Sequence, residues 1–561
     1  MRRSRTTIKA ALCLGIFMAS AMAQETTAAA TSVPTKFFDE NGAYYGPDCD
    51  KDKNYSGAYY TGDYTSAFKK YLGKTDEEIQ EKMDALWDHY FKGDDNSKVF
   101  YDKGNEGYIK DINNNDVRSE GMSYGMMIAV QTGHKEEFDK LWNWAKNHMW
   151  HKGGDWDGYF AWQRNDSGSG GDDNCAPDGE MYFMMSLLFA ANRWDDDQYR
   201  KDAQYIMDKM WNNPSHKLFN QGNYIIVFQP LGSGNDFSDP SYDLPAYLEL
   251  FSRWAEKDTD KWKRAVTAAR DHLYKSSNKN SGLFADYSTF DGQPQSYSYN
   301  QNSTKYMYDA MRSAMNFGMD FYLFGADSAR EVEMAKRIID FFEKDGYKHA
   351  RFNWDGTGGS EEYTQGEKGA NAVAALALKD VSGYDEIIKK NLQMAWDEPF
   401  MTGQYRYYDG LVHYLAMLHL SGTFKIWKPK PKDVKEKTME ATTIGDVEYK
   451  EGDIIDWFED CQLYKVTFTA ASTMPTPGDS NTVVTPTPGD STTTTTQQPG
   501  DSTAVATPLP YESKDSTDAI RLMYMRDYGY KMQRDYNLKG CKVNSSNRAR
   551  GAYYGRMVPA K

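Results

Sequence analysis

The chain has 561 residues and a net charge of −15, and 14% of its residues are aromatic. Residues 1–23 carry four positive charges and residues 511–561 a net charge of +6, which leaves −25 for residues 24–510. A body this acidic repels nucleic acid and other anionic polymers, so we expect a neutral partner and no nucleic acid.

Residues 1–23 have the pattern of a secretory signal peptide. A basic start is followed by a short apolar run and by small residues at Ala21 and Ala23. No later segment is long and apolar enough to span a bilayer. We therefore expect cleavage after Ala23 and a secreted protein without a membrane span, either extracellular, attached to the cell surface or periplasmic.

The mature chain would keep four scattered cysteines. None shows CxxC or Cys/His spacing, so we expect neither a metal site nor a cofactor. A disulfide between Cys49 and Cys461 is one pairing that the sequence allows but does not determine. The four residues are Cys49, Cys175, Cys461 and Cys541.

After a lead-in over residues 24–74, apolar residues recur at i, i+3, i+4 and i+7 through residues 75–425, which predicts amphipathic helices. The first begins at a capping box formed by Thr75 and Glu78. The twelve predicted helices span about 75–91, 118–131, 135–149, 179–194, 197–212, 241–256, 259–275, 305–324, 328–345, 368–379, 384–396 and 407–420.

These helices alternate in character. Every second helix from 118–131 onward is rich in Gly, Ala, Met and Tyr, whereas those between carry many charges. A helix that is apolar all round is buried, and a one-sided helix lies outside. We therefore predict an all-α fold, an (α/α)6 barrel of six inner and six outer helices over residues 75–425, with residues 426–471 as a C-terminal extension of this domain.

Residues 472–510 consist mainly of Thr, Pro, Gly, Asp and Ser, and repeat "PGDS" three times. This composition predicts an extended linker. Residues 511–561 form a basic, Tyr-rich tail that is too short to hold a core of its own. We expect the tail to serve attachment or sorting, through a cell-surface or secretion partner, or else to be a tail without a role.

Three inner helices open with a carboxylate: Glu120 in "RSEGMSYG", Asp178 in "CAPDGEMYF" and Asp309 in "MYDAMRSAMN". Because every outer-to-inner loop leads to the same rim of a barrel, these carboxylates should converge there. Burying an unpaired carboxylate costs several kcal/mol, so each needs a partner or a role. A helix cap is the structural alternative for any one of them.

The loops that lead to this rim are aromatic, as in "DWDGYFAWQ", "DPSYDLPAY" and "QYRYYDG". Sugar rings present apolar CH faces edged by hydroxyls, which suit aromatic rings beside carboxylate acceptors. Core packing accounts for part of these aromatics. The pattern indicates a carbohydrate site.

Seven separated segments resemble glycoside hydrolase family 8: "RSEGMSYGMM", "GYFAWQ", "APDGEMYF", "DPSYDLPAYLELFSRWA", "DYSTFDG", "YDAMRSAMNFGMDF" and "YYDGLVHYLAMLHLSG". The resemblance covers about residues 75–425. It implies an inverting hydrolase of β-1,4 glycans. The segments resemble the xylanase and reducing-end xylose-releasing oligoxylanase branch more closely than the cellulase branch, so the resemblance implies xylan or xylo-oligosaccharides as substrate.

The resemblance also implies roles for single residues. Glu120 matches the general acid and Asp309 the general base. The remaining matches are substrate-binding or orienting positions: Asp178 at the cleavage subsite, Tyr242 beside the attacking water, Arg312 beside Asp309, Trp162 as a stacking platform and Tyr408 near the same subsite. No metal is implied.

The residue types fit this chemistry. An inverting hydrolase needs one protonated and one ionised carboxyl, roughly 6.5–9.5 Å apart. A Glu among Met and Tyr should have a raised pKa, and an Asp beside Arg312 should stay ionised.

Alternatives remain open on the same fold. They are an endo-β-1,4-glucanase (cellulase or lichenase), a chitosanase, a uronate lyase, or a non-catalytic glycan-binding protein. The cleavage mode is also open, because Tyr363, Thr364 and Gln365 stand where exo-acting relatives carry a His-containing segment that closes the cleft.

Overall fold

The computed structural model describes residues 36–49, 56–444 and 447–471. The predicted signal peptide, linker and basic tail lie outside these residues, as does Cys541. Within the described ranges, no helix combines the length and the apolar character needed to cross a membrane.

Fourteen α-helices and twelve short strands form the described part of the chain. The helices are α1 (Ala58–Thr61), α2 (Ala67–Leu72), α3 (Asp76–Trp87), α4 (Ser119–Thr132), α5 (Lys135–His148), α6 (Pro177–Trp194), α7 (Asp197–Asn212), α8 (Pro245–Trp254), α9 (Thr259–Ser276), α10 (Arg312–Leu323), α11 (Ser328–Asp345), α12 (Gln365–Ala375), α13 (Asp385–Asp397) and α14 (Tyr408–Ser421). The strands are β1 (Phe100–Asp102), β2 (Gly107–Ile109), β3 (Val117–Arg118), β4 (Gln163–Arg164), β5 (Lys305–Tyr306), β6 (His349–Asn353), β7 (Ser360–Glu362), β8 (Val434–Glu440), β9 (Thr442–Ile444), β10 (Val447–Tyr449), β11 (Ile454–Glu459) and β12 (Gln462–Thr469).

The twelve predicted helices correspond to α3 through α14. The capping box at the start of α3 is present, with reciprocal hydrogen bonds between Thr75 and Glu78. Two helices begin later than predicted. α10 starts at Arg312 rather than near 305, because residues 305–306 pair as β5 with β6 and the next residues form a turn. α8 starts at Pro245, after a 3₁₀ turn at Pro240–Tyr242.

The helices that were predicted to be inner are buried on nearly all sides. In α4, α6 and α14, almost every residue is buried, whereas α5, α7 and α13 bury one face each. Each inner helix packs against the next inner helix, in the order α4, α6, α8, α10, α12 and α14, and α14 packs against α4. Residues at the N-terminal ends of α4, α6, α10, α12 and α14 contact one another, so these ends lie together.

Residues 434–469 form a small β unit, which the prediction of an all-α chain missed. β12 pairs antiparallel with β11 and parallel with β8, and β9 and β10 form a hairpin. Ile455 and Trp457 of β11 and Val466 and Phe468 of β12 lie in a separate core. A disulfide joins Cys461, beside β12, to Cys49 of the N-terminal segment, so the open pairing is realised.

Candidate active site

Glu120 is the second residue of α4, and its carboxyl contacts an aromatic hydroxyl. The hydroxyl of Tyr407 donates a hydrogen bond of 3.1 Å to Oε1 of Glu120. Gly121 follows in the chain, and a Cβ at that position would clash with the ring of Tyr407. The glycine after Glu120 therefore makes room for the ring that holds the carboxyl.

Glu120 lies in an environment that retains a proton near neutral pH. Burial raises the pKa of Glu120 to about 7, and the nearby carboxyls of Asp178 and Asp309 add to the rise. The cations Arg312 and Arg118 oppose it. The predicted upward shift of this pKa is confirmed.

The guanidinium of Arg312 is the centre of the site. Its Nη1 donates to the hydroxyl of Tyr124 at 2.8 Å, and its Nη2 donates to Oγ of Ser241 at 2.8 Å. Four carboxyls face the same group: Asp178 at 2.5 Å, Asp309 at 3.3 Å, Glu120 at 3.5 Å and Asp239 at 3.9 Å.

One positive charge cannot balance four negative charges at these distances. Burial, together with the neighbouring Asp309, raises the pKa of Asp178 and of Asp239. Oδ2 of Asp239 has no hydrogen-bond partner in the described structure, although it lies near the guanidinium. The cluster therefore holds protons that isolated carboxyls would lose.

Asp309 is the most exposed of the four carboxyls. Its side chain is 30% exposed, against 19% for Glu120 and 4% or less for the other two. It lies in the turn before α10, with Oδ1 at 3.3 Å from Nη2 of Arg312.

Glu120 and Asp309 approach different terminal nitrogens of Arg312. Since these nitrogens are within about 2.5 Å of each other in the planar fork, the nearest carboxylate oxygens can be at most about 9 Å apart. That spacing is compatible with the roughly 6.5–9.5 Å of inverting glycosidases.

The remaining predicted residues lie around this centre. The rings of Tyr242 and Tyr408 are each centred 5.8 Å from the guanidinium of Arg312. The hydroxyl of Tyr408 donates to the carbonyl oxygen of Tyr308 at 2.8 Å. The carbonyl of Trp162 accepts the amide of Ser119 at 2.9 Å, which ties Trp162 to the start of α4. The guanidinium of Arg118 covers one face of the Trp162 ring, at 5.4 Å from its centroid.

The structure thus brings all seven predicted residues to one end of the helical domain. Their roles stay predictions. Sequence reasoning missed Tyr407, Tyr124, Ser241 and Asp239 as site residues. Two signals were available: Tyr407 adjoins Tyr408 in "QYRYYDG", and Asp239 opens "DPSYDLPAY".

The segment that departs from the exo-acting relatives is held by packing and by helix capping. Tyr363 is buried, and its hydroxyl accepts from Nδ2 of Asn371 at 2.6 Å. Thr364 caps the N-terminus of α12, and Gln365 is buried. Glu361 of β7 is exposed instead, and the hydroxyl of Tyr308 lies 3.3 Å from both of its carboxylate oxygens.

Within the described ranges, no group of three or more His, Cys, Asp or Glu side chains has the arrangement of a metal site.

The chain has relatives among known proteins. Residues 103–421 match the family model for glycosyl hydrolases family 8. A reducing end xylose-releasing exo-oligoxylanase from Halalkalibacterium halodurans is 36% identical over 394 residues, which cover 68% of this chain and 99% of that protein. A Bifidobacterium adolescentis protein of the same description is 34% identical, over 63% of this chain and 94% of that protein.

A solved structure supports the same assignment. Rex8A from Paenibacillus barcinonensis, complexed with xylose, is 35% identical to this chain and superposes with a TM-score of 0.62. The superposition covers 66% of this chain and 100% of that one. The chain therefore belongs to family 8 of the glycosyl hydrolases.

Proposed function

We propose that this protein is an inverting glycoside hydrolase that cleaves β-1,4 linkages of xylan or xylo-oligosaccharides on an (α/α)6 barrel. The observation that carries the proposal is the shared guanidinium of Arg312, which faces a partly buried Glu120 on one nitrogen and a more exposed Asp309 on the other. Two carboxyls in opposite protonation states are what inversion requires.

In the proposed reaction, Glu120 gives its proton to the glycosidic oxygen as the bond from that oxygen to the anomeric carbon breaks. Asp309 takes a proton from a water molecule, whose oxygen forms the new bond to the anomeric carbon from the opposite face. Asp178 accepts hydrogen bonds from hydroxyls of the sugar at the cleavage subsite. Arg312 orients Asp309, and Tyr242 orients the water.

Proton NMR of fresh products tests this mechanism. A β-linked substrate should give the α-anomer first, before mutarotation. The β-anomer as first product would show retention and would contradict the pairing of Glu120 with Asp309.

The substrate proposal rests on the relatives that release xylose and on the crowding of the site. Xylose lacks the exocyclic CH2OH of glucose, so rings close to the reacting sugar, such as Tyr242 and Trp162, would exclude glucose by steric clash. The endo-glucanase and chitosanase alternatives are tested by supplying xylohexaose, cellohexaose and a chitosan hexamer at matched concentrations. Faster cleavage of cellohexaose or chitosan would refute the xylan proposal.

We propose release of xylose from reducing ends as the cleavage mode. Tyr308 precedes the proposed base in the chain, and its hydroxyl contacts the exposed carboxylate of Glu361. These two polar side chains are exposed where Tyr363 is buried. From xylohexaose labelled at its reducing end, we expect labelled xylose and unlabelled xylopentaose as the only early products. A spread of xylobiose and xylotriose at early times would establish endo cleavage.

We also propose that the protein is exported and that residues 511–561 attach it to a surface partner. The disulfide between Cys49 and Cys461 supports an oxidising compartment. Deleting residues 472–561 should leave hydrolysis of soluble oligosaccharides unchanged and should alter the distribution between cells and medium.

A further inference from the structure

Asp286 is a buried carboxylate that contacts the backbone on both sides of Asp309. Oδ1 of Asp286 accepts the amide of Met307 at 3.1 Å and the amide of Ala310 at 3.1 Å. Asp286 itself is 2% exposed. A single oxygen atom therefore fixes the turn that carries Asp309.

The segment that contains Asp286 is itself held by hydrogen bonds to residues 300–305. The amide of Asp286 donates to the carbonyl of Lys305 at 2.9 Å, and the amide of Tyr287 donates to the carbonyl of Ser303 at 2.8 Å. Nδ2 of Asn300 reaches the second carboxylate oxygen of Asp286 at 3.4 Å. Hydrogen bonds with Asn300, Ser303 and Lys305 thus hold the segment around Asp286 in place. We call the carboxylate of Asp286 with its two amide donors the Asp286 clamp.

This clamp also explains why the predicted helix over residues 305–324 begins only at Arg312. The amides of Met307 and Ala310 are bound by a side chain. A buried carboxylate with two amide donors is a strong local constraint, because each such bond is charge-assisted when the group is ionised.

We propose that Asp286 is a positioning residue for the catalytic reaction, holding the carboxylate of Asp309 at the place from which it activates water. The inference rests on the proposed role of Asp309 as the base. Burial, with a contribution from Asp309, raises the pKa of Asp286, which places the two groups within electrostatic reach of each other. A misplacement of about 1 Å in a catalytic group can cost roughly 10²-fold in rate.

The first test compares two substitutions. Asp286→Ala removes the acceptor and should lower kcat on xylohexaose about 10- to 100-fold, with KM changed less than about threefold. Asp286→Asn keeps an acceptor oxygen and should restore kcat to within about tenfold of the wild-type value. If the Ala variant does not fold, Asp286→Ser, whose hydroxyl is too short to reach both amides, takes its place.

Asp320→Asn is the matched control. Asp320 is a buried carboxylate on the same helix as Arg312, but it binds Arg270 at 2.7 and 2.9 Å, at the opposite end of α10. This variant should lose stability and keep kcat. An equal loss of kcat in both variants would mean that Asp286 is only structural.

The second test is a double-mutant cycle with azide, which attacks the anomeric carbon without needing a base. In Asp309→Ala, azide forms the bond from nitrogen to carbon, the glycosidic bond breaks, and the proton of Glu120 goes to the leaving oxygen. Adding Asp286→Ala to this background should change the azide-supported rate less than about twofold, because Asp286 acts through the absent carboxylate. A further loss of tenfold or more would overturn the proposal.

Failure of the base assignment would look different. If Asp309→Ala alone retains near wild-type hydrolysis without azide, the proposed role of Asp309 is wrong, whatever the Asp286 variants do.

Discussion

The hydroxyl of Tyr407 donates a hydrogen bond of 3.1 Å to Oε1 of Glu120, across a gap that Gly121 leaves open. The proposed general acid is therefore oriented by a residue from the last helix-to-helix loop. The proposed base is oriented by Arg312 at the start of α10. The two halves of the reaction are positioned by different parts of the chain.

Tyr407→Phe should lower kcat about tenfold on xylo-oligosaccharides, because the carboxyl of Glu120 loses its orienting donor. The same change removes a hydrogen bond to the ionised form, so the pKa of Glu120 should rise. The alkaline limb of the profile of kcat/KM against pH should therefore move to higher pH. An unshifted limb would show that this contact does not reach the acid.

Gly121→Ala is the matched test of the same contact. The added methyl would displace the ring of Tyr407, so the kinetic defect should resemble that of Tyr407→Phe. Gly133→Ala, at the other end of α4, is the control and should leave kcat unchanged. A wild-type kcat in Gly121→Ala would contradict the proposed role of the glycine.

Glu120→Gln and Asp309→Asn should each lower kcat by about 10²–10⁴-fold, while circular dichroism and oligosaccharide binding stay near wild type. Each change keeps the shape of the side chain and removes the proton donor or the base. Isothermal titration with xylohexaose measures binding in the inactive variants. Turnover near wild type in either variant would overturn the catalytic pair.

Hydrolysis should fall as pH rises through about 7, because the pKa of Glu120 is raised to about 7 and the acid must hold its proton. The profile of kcat/KM against pH should show this alkaline limb for xylohexaose. A substrate with a good aryl leaving group needs less protonation, so its limb should be weaker. A profile that stays flat to pH 9 on xylohexaose would be incompatible with a Glu120 proton donor.

Protein stability should also decrease with rising pH, because of Glu180. Burial raises the pKa of Glu180 to about 8, and its Oε1 accepts the amide of Phe160 at 3.0 Å. The folded state thus binds more protons than the unfolded state between about pH 4.5 and 8, so the free energy of unfolding falls across that window. The slope from one such group is at most about 1.4 kcal/mol per pH unit.

Glu180→Gln should flatten this dependence without removing it, since burial raises the pKa of Glu367 to about 8 as well. Urea unfolding at pH 5, 7 and 8.5 gives the slope for both proteins. The variant is judged by its slope alone, because a buried amide can change stability at every pH. An unchanged slope would exclude Glu180 as a source.

Replacing Cys49 and Cys461 by Ala should lower the free energy of unfolding by about 2–4 kcal/mol, the typical contribution of a native disulfide. Activity at moderate temperature should persist, because the bridge lies in the N-terminal segment and the β unit. Reductant should lower the Tm of the wild-type protein and leave the double variant unaffected. Cys175→Ser, at a buried free thiol, is the control and should still respond to reductant.

Much of the helical organisation could be predicted from the sequence. Periodicity of 3.6 residues identified α3 through α14, and composition separated the buried helices from the outer ones. The start of α10 could not be predicted, because Asp286 and strand β6, which are distant in sequence, bind the backbone of residues 305–310. The start of α8 was missed because a 3₁₀ turn at Pro240–Tyr242, in which the side chain of Asp239 accepts the amide of Ser241, precedes Pro245. The β unit was missed because its strands are short and do not alternate between buried and exposed residues along their whole length.

The candidate site could be predicted where charged residues lie in recognisable motifs. Glu120, Asp178, Asp309 and Arg312 were all found from motif and resemblance, and they meet in the structure. Tyr407 and Asp286 act on neighbours 287 and 23 residues away along the chain, a relationship that only the fold reveals.

The disulfide between Cys49 and Cys461 joins residues 412 positions apart and so turns almost the whole described chain into one covalent ring. A protease that cuts once inside this ring produces two fragments that remain linked and run as one species on a gel until reductant is added. A gene fragment ending near residue 425, where the helical domain ends, would open the ring. A gene fragment ending after residue 471 would keep the ring closed. Residue 471 is therefore a suitable end point for expressing the catalytic part alone.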